Sequence, residues 1–150
     1  MEENRAYSII SRIELQHTTI ELRSDDILQF FYGDHVHFTL EEAQELENAV
    51  KEMTKGITYK SLRIAGKYSS TDIGVMKYLS RGQGALYTLA DAFVIHSLPQ
   101  KILANFYTKI QKPYVPTAIY GTVAEAEAWL HKLNKQELDT IHQLNLKRIV

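Results

Sequence analysis

The chain has 150 residues, a length typical of one domain, and its 45% hydrophobic and 23% charged residues make an ordinary globular composition. Its net charge of -1 argues against a nucleic-acid or anionic-lipid partner, because such partners favour a basic chain. The absence of cysteine excludes disulfides, thiol nucleophiles and cysteine-bound zinc.

The first residues, MEENRAYS, are polar and acidic and do not have the pattern of a signal peptide. No apolar run approaches the ~20 residues that a membrane-spanning helix needs. We therefore expect a cytoplasmic protein without membrane insertion.

The first third of the chain predicts a hairpin followed by a helix. Apolar and polar residues alternate within 13–22, which is the period of a β-strand. A polar turn follows, and 27–32 is predicted as the second strand of the hairpin. Thr39 and Glu42 then form a capping box ahead of an apolar stripe that ends near Gly56, which predicts the first helix.

Strands and helices alternate through the rest of the chain. A short strand at 61–65 and a polar loop at 67–72 lead into a second helix, and a strand at 92–95 precedes a third. The last strand, 114–120, precedes a fourth helix, and 134–150 predicts an additional amphipathic helix. Capping boxes begin the third and fourth helices: Ser97 with Gln100, and Thr122 with Glu125.

This alternation predicts an α/β fold with a mixed, mostly parallel sheet. The expected order is β-β-α-β-α-β-α-β-α with a C-terminal helix appended. We expect a single domain over 1–150, with a core at about 13–133 and an extra helix at 134–150.

One segment carries a recognisable motif. Residues 91–130 read DAFVIHSLPQKILANFYTKIQKPYVPTAIYGTVAEAEAWL, in which a strand ending in Ser precedes a helix with an NFY element, a KP turn, a strand and an EAxxWL helix. This pattern resembles the SpoIIAA-like proteins, a STAS/SEC14-like set of uncharacterised bacterial proteins. The resemblance extends over roughly 13–133 and implies a STAS-type fold with helices mainly on one face of the sheet.

The resemblance also implies a function. STAS-type regulators suggest a non-enzymatic module that binds a protein partner or a second copy of itself, for example as a homodimer. SEC14-like relatives suggest the alternative, a binder of a small apolar or lipidic ligand. No nucleophile, base and orienting group can be assembled from the sequence, so we predict no enzymatic activity, no cofactor and no metal.

The loop Ser69-Ser70-Thr71 is the candidate phosphoacceptor site. The corresponding loop of anti-sigma-factor antagonists reads similarly to DSSGLGV, and its second serine accepts phosphate. Alignment of 73–75 with LGV puts Thr71 at the acceptor position, with Ser70 beside it. Ser69 replaces the Asp of that motif, and Asp72 replaces its Gly. The alternative role for these hydroxyls is capping of the second helix.

The third helix is more apolar than one sheet-facing stripe requires. Its cover could be the sheet together with the C-terminal helix, a second subunit, or an apolar ligand. The residues predicted to form this apolar pocket or interface are Leu98, Ile102, Phe106, Tyr107 and Ile110.

His35 and His37 have the one spacing in the sequence that suggests a metal, because alternate residues of a strand share a face. Two imidazoles are too few for a structural zinc site, which has four ligands. The sequence therefore favours surface histidines at these positions.

Overall fold

The computed structural model of the chain describes residues 6–149, apart from the side chain of Ile110. The strands are β1 (Ile9–Glu14), β2 (Thr18–Arg23), β3 (Ile27–Tyr32), β4 (His37–Phe38), β5 (Lys60–Ile64), β6 (Ser70–Thr71), β7 (Asp91–Val94) and β8 (Thr117–Tyr120). The helices are α1 (Leu40–Thr54), α2 (Ile73–Ser80), α3 (Leu98–Phe106), α4 (Val123–Lys132) and α5 (Lys135–Arg148). A 3-10 turn spans Gln83–Tyr87, and a π-helical turn, Tyr107–Gln111, continues α3.

The main sheet has six strands in the order β1-β2-β3-β5-β7-β8. The first three pair antiparallel, whereas β3, β5, β7 and β8 pair parallel. The predicted α/β class with a mixed, mostly parallel sheet is confirmed. The stretch ahead of the predicted hairpin turn forms two strands, β1 and β2, so the sheet gains one antiparallel strand at its edge.

The strand order explains where the helices lie. The parallel strands stand side by side in chain order, so right-handed connections between them all pass over the same face. The helices α1, α2 and α3 are these connections, and we call the face that they cover the front face. The chain crosses to the back face after β8, where α4 packs against β7 and β8.

Alternation along β3 separates two hydrophobic cores, because successive side chains of a strand point to opposite faces. Ile27 belongs to the back core with Leu62 of β5 and Leu130 of α4. Its neighbour Leu28 belongs to the front core with Leu46 of α1. Both faces of the sheet are therefore buried, each by its own helices.

The predicted capping residues begin their helices. The hydroxyl oxygens accept backbone N–H bonds as follows: Thr39 Oγ1 from Glu42 at 3.2 Å, Ser97 Oγ from Gln100 at 3.3 Å, and Thr122 Oγ1 from Glu125 at 3.3 Å. At the other end of α1, Lys55 and Gly56 adopt left-handed φ angles of 54° and 82°. This is the usual way to terminate a helix, and it agrees with the predicted stop at Gly56.

The face of α3 that packs against the sheet is not the face that carries its most regular apolar stripe. Leu98 and Ile102 are 69% and 62% exposed, and Phe106 is 36% exposed. The face turned toward the sheet carries Leu103, and Tyr107 follows it at the start of the π-helical turn. The apolar stripe of 98, 102 and 106 therefore lies on the protein surface.

Candidate functional site

A cavity of about 150 Å³ lies on the front face between the sheet, α2 and α3. It sits at the carboxyl ends of the parallel strands, which is where open α/β sheets commonly bind ligands. We call it the front cavity, and its apolar wall includes Val36, Phe38, Ala65, Val75, Met76, Leu79, Phe93, Ile95, Leu103, Ala104 and Ile119. A mostly apolar wall with a few polar groups is typical of a small-molecule site.

At one end of the front cavity, the backbones of two loops pack closely against each other. A Cβ atom at Gly66 would lie only 2.1 Å from the carbonyl oxygen of Gly33, so no larger residue fits where the loops after β3 and β5 meet. Gln100 of α3 donates from Nε2 to the carbonyl oxygen of Gly66 at 2.8 Å. Its Oε1 atom accepts the N–H of His96 at 3.0 Å. Gln100 thereby joins α3 to the residues that follow β5 and β7.

Arg63, a member of a buried ion pair, and Tyr32 form the polar end of the front cavity. Arg63 Nε donates to Asp91 Oδ1 at 2.8 Å, and Arg63 Nη1 donates to Tyr32 Oη at 2.8 Å. Arg63 and Asp91 are 6% and 1% exposed, and the guanidinium lies 4.7 Å from the ring centroid of Phe30. Burial is the largest single influence and opposes the charge on Arg63, but Asp91 and Tyr32 together outweigh it and raise the pKa of Arg63. The arginine therefore remains charged.

Tyr107 lines the same cavity and has a buried, unpaired hydroxyl. The side chain is 5% exposed, and its ring meets Phe93 edge-on with centroids 5.7 Å apart. The hydroxyl oxygen is buried and has no hydrogen-bond partner in the protein. Burial, with the nearby Asp91 carboxylate, raises the pKa of Tyr107 although Arg63 acts in the opposite direction. Tyr107 is therefore a neutral hydrogen-bond donor beside the ion pair, and buried tyrosine hydroxyls normally have a partner.

Glu47 of α1 is a second buried acid on the front face. Tyr78 of α2 donates a short hydrogen bond to Glu47 Oε2, whereas Oε1 is buried without a partner in the protein. Burial raises the pKa of Glu47 to about 7, although the Tyr78 hydrogen bond and Arg63 act to lower it. Glu47 and Arg63 both line a void of about 10 Å³, which has room for one water molecule.

The candidate phosphoacceptor loop, 69–71, contributes to the wall of the front cavity. Ser69 Oγ donates to the carbonyl oxygen of Gly66 at 2.9 Å, and Thr71 Oγ1 donates to that of Phe38 at 2.8 Å. Ser70 is exposed, so it is the accessible hydroxyl of the three. None of these hydroxyls caps α2, because that role falls to Asp72, whose Oδ1 accepts the N–H of Val75 at 3.0 Å.

His37 lies beside Ser70. The short parallel pair of β4 and β6 aligns His37 with Ser70, and His37 Nδ1 is 2.8 Å from Ser70 Oγ. The other ring nitrogen is 3.7 Å from Asp72 Oδ2. His35 instead stacks on Tyr68, with ring centroids 5.1 Å apart. Within residues 6–149, no group of three or more His, Asp or Glu side chains could hold a metal ion.

The predicted site residues on the third helix do not all reach the cavity. Tyr107 lines it, whereas Leu98, Ile102 and Phe106 are not among its lining residues. Their role as an interface stays a prediction, and the side chain of Ile110 lies outside what the structure describes. The sequence analysis did not identify the polar end of the front cavity. The signal was present, because Arg63 is a charged residue within a strand that was predicted to be buried.

No helix in the described part of the chain is both long and apolar enough to cross a membrane. A family model described as a domain of unknown function, DUF7793, matches residues 20–134. The chain belongs to the DUF7793 family. The match runs from β2 to the residues that follow α4, so the DUF7793 domain contains every lining residue of the front cavity except His17. Among curated proteins, none matches this chain.

This DUF7793 chain is also similar to a solved structure from another family of uncharacterized proteins. That structure is an uncharacterized protein from the DUF3478 family with a SpoIIAA-like fold, from Shewanella loihica PV-4. The sequence identity is 12% and the TM-score is 0.44, and the similarity covers 85% of this chain and 98% of that one. The SpoIIAA-like fold is also the one that the sequence motifs resemble.

Proposed function

We propose that this DUF7793 domain binds a small apolar molecule in the front cavity. The observation that supports the proposal is a mostly apolar cavity of about 150 Å³ at the carboxyl ends of parallel strands, with buried polar groups at one end. In other proteins an apolar cavity of about 150 Å³ is large enough for benzene. The ligand is therefore expected to contain about one six-membered ring with small substituents.

A cavity-filling variant tests this function. Ala104 lines the front cavity, so Ala104→Leu places additional carbon atoms in the space that a ligand would occupy. We expect wild-type protein to bind α-methylstyrene and Ala104→Leu to bind it about tenfold more weakly or not at all, since small volume changes in apolar pockets have effects of this size. Titration followed by methyl chemical shifts of Val75, Leu103 and Ile119 would measure both the affinity and the location.

The matched control is Ala128→Leu, the same change at an exposed position of α4 on the back face. This variant is expected to retain the wild-type affinity. The proposal is wrong if Ala104→Leu binds as tightly as Ala128→Leu. It is also wrong if α-methylstyrene shifts only signals from the exposed side of α3.

A regulatory interaction module remains a second candidate, and the accessible Ser70 hydroxyl favours it. A phosphate on Ser70 would add about two negative charges at the wall of the front cavity, next to Asp72 and within reach of His37. Such a change alters the surface that a protein partner, or a second copy of the chain, would meet. The exposed apolar residues Leu98 and Ile102 are the predicted contact.

The modification has a specific expected position. Ser69 and Thr71 direct their hydroxyls to backbone carbonyls, so phosphate is expected on Ser70 rather than on the Thr71 position that motif alignment selects. Phosphopeptide mass spectrometry of protein isolated from its native host would locate it, with Ser70→Ala as the negative control. Phosphate on Thr71 with Ser70 unmodified would contradict this prediction, as would unmodified protein under all growth conditions.

A further inference from the structure

We infer that the front cavity takes a ligand whose apolar body ends in an oxygen acceptor, such as the carbonyl oxygen of an aryl ketone, and that this oxygen accepts hydrogen bonds from Arg63 Nη2 and the Tyr32 hydroxyl. The inference rests on the proposed function and adds the polar group of its ligand. It comes from two donors at the polar end of the cavity that the described part of the chain leaves unused.

Arg63 is the first of these donors. Its guanidinium group donates from Nε to Asp91 and from Nη1 to Tyr32, both at 2.8 Å. Nη2 has no hydrogen-bond partner among the described residues, and unlike the Tyr107 hydroxyl it keeps some surface that a water-sized molecule can reach. Because Arg63 lines the front cavity, Nη2 is a charged donor that a ligand there can use.

Tyr32 is the second donor. Its Oη atom accepts from Arg63 Nη1, whereas its O–H group donates to no acceptor among the described residues. Burial raises the pKa of Tyr32, although Arg63 acts to lower it, so the hydroxyl keeps its proton at neutral pH. The ring stacks on Phe30 with centroids 6.2 Å apart and meets Phe38 edge-on at 5.3 Å, which holds the hydroxyl beside the guanidinium.

These two donors determine the polar group that fits. A donor that stays unpaired in a buried site costs free energy, and a hydrogen bond from a charged donor is the stronger kind. A guanidinium has no acceptor atom, and the Tyr32 oxygen already accepts from Arg63, so an amine of a ligand would find no free acceptor on these side chains. A carbonyl oxygen has two lone pairs and can accept from both donors.

Two probes of one size and shape test the inference on the wild-type protein. Acetophenone carries a carbonyl oxygen where α-methylstyrene carries a methylene group. We expect the affinity of acetophenone relative to α-methylstyrene to be about tenfold higher than their partition from water into an alkane gives, because a hydrogen bond from a charged donor adds about this much. The carbonyl carbon of labelled acetophenone is expected to resonate downfield of its position in an alkane, as a hydrogen-bonded carbonyl does.

Tyr32→Phe removes one of the two donors. We expect this variant to bind acetophenone about fivefold more weakly and to change the affinity for α-methylstyrene by less than about twofold, since one neutral hydrogen bond has about this effect. Tyr120→Phe is the matched control, because Tyr120 packs near Trp129 against the back core, away from the front cavity. It is expected to keep both wild-type affinities.

Thermal unfolding of each free variant is the folding control, and the two wild-type measurements decide the inference if Tyr32→Phe does not fold. An affinity ratio equal to the partition ratio, or a carbonyl carbon at its alkane position, would overturn the inference while the binding function stands. Equal effects of Tyr32→Phe on both probes would overturn it as well. Failure of both probes to bind overturns the inference together with the proposed function.

Discussion

Replacement of Asp91 by alanine is expected to lower the free energy of unfolding by about 3–5 kcal/mol. The carboxylate is 1% exposed and compensates the charge of Arg63, which is itself 6% exposed and bonded to Asp91 at 2.8 Å. Its removal leaves a guanidinium buried without its counter-charge. Urea unfolding at neutral pH, followed by circular dichroism, measures the change.

A double-mutant cycle separates the unpaired charge from a simple packing loss. Arg63→Met replaces the other partner, and the double variant with Asp91→Ala is expected to lose less stability than the sum of the two single variants. Glu14→Ala is the matched surface control, since the pair of Arg12 and Glu14 is 55% and 68% exposed. That control is expected to change stability by less than about 1 kcal/mol. A loss of less than about 1 kcal/mol for Asp91→Ala would contradict the expectation.

Glu47→Gln is expected to stabilise the protein at about pH 8 by up to about 3 kcal/mol, with little effect at about pH 4. Burial raises the pKa of folded Glu47 from its ordinary value of 4.5 to about 7. Below 4.5 the acid is protonated in both the folded and the unfolded chain. Between 4.5 and about 7 the unfolded chain releases its proton first, so stability falls as the pH rises. Above about pH 7 the folded chain carries the full free-energy cost of burying the charged Glu47 carboxylate. The neutral amide of Gln avoids that cost.

The measurement is the difference in unfolding free energy between Glu47→Gln and the wild type across this pH range, because other titrating groups cancel in the difference. Glu45→Gln on the exposed side of α1 is the control, and its difference is expected to stay near zero. A Glu47→Gln difference that is the same at about pH 5 and about pH 8 would show that Glu47 has an ordinary pKa in the folded protein.

The local structure of this protein follows closely from short-range sequence signals. Capping at Thr39, Ser97 and Thr122 depends on a side chain and a backbone N–H three residues apart, so the sequence alone places these helix starts. The left-handed end of α1 at Gly56 is equally local. The alternation of these elements then predicts the α/β class, since parallel strands need helical connections between them.

The orientation of the third helix was not predictable in this way. Its apolar residues occupy two stripes, and the pattern cannot say which stripe the sheet covers. The stripe of Leu98 and Ile102 is the more regular, yet Leu103 and Tyr107 face the cavity. The choice depends on the exit of the chain from β7 and on the bond from Gln100 to Gly66, both of which are tertiary contacts.

The sequence by itself determined the helices, the strands of the main sheet and the fold class, because all of these arise from residues close together in the chain. The short strands β4 and β6 were not predicted, and β6 lies inside the predicted polar loop at 67–72. Only the tertiary structure decided the site. Arg63 meets Asp91 because β5 and β7 are neighbours in the sheet, and the Tyr107 hydroxyl approaches that pair because α3 crosses the same face. Contacts between residues so far apart in the chain depend on strand order and helix placement, which hydrophobic periodicity does not encode.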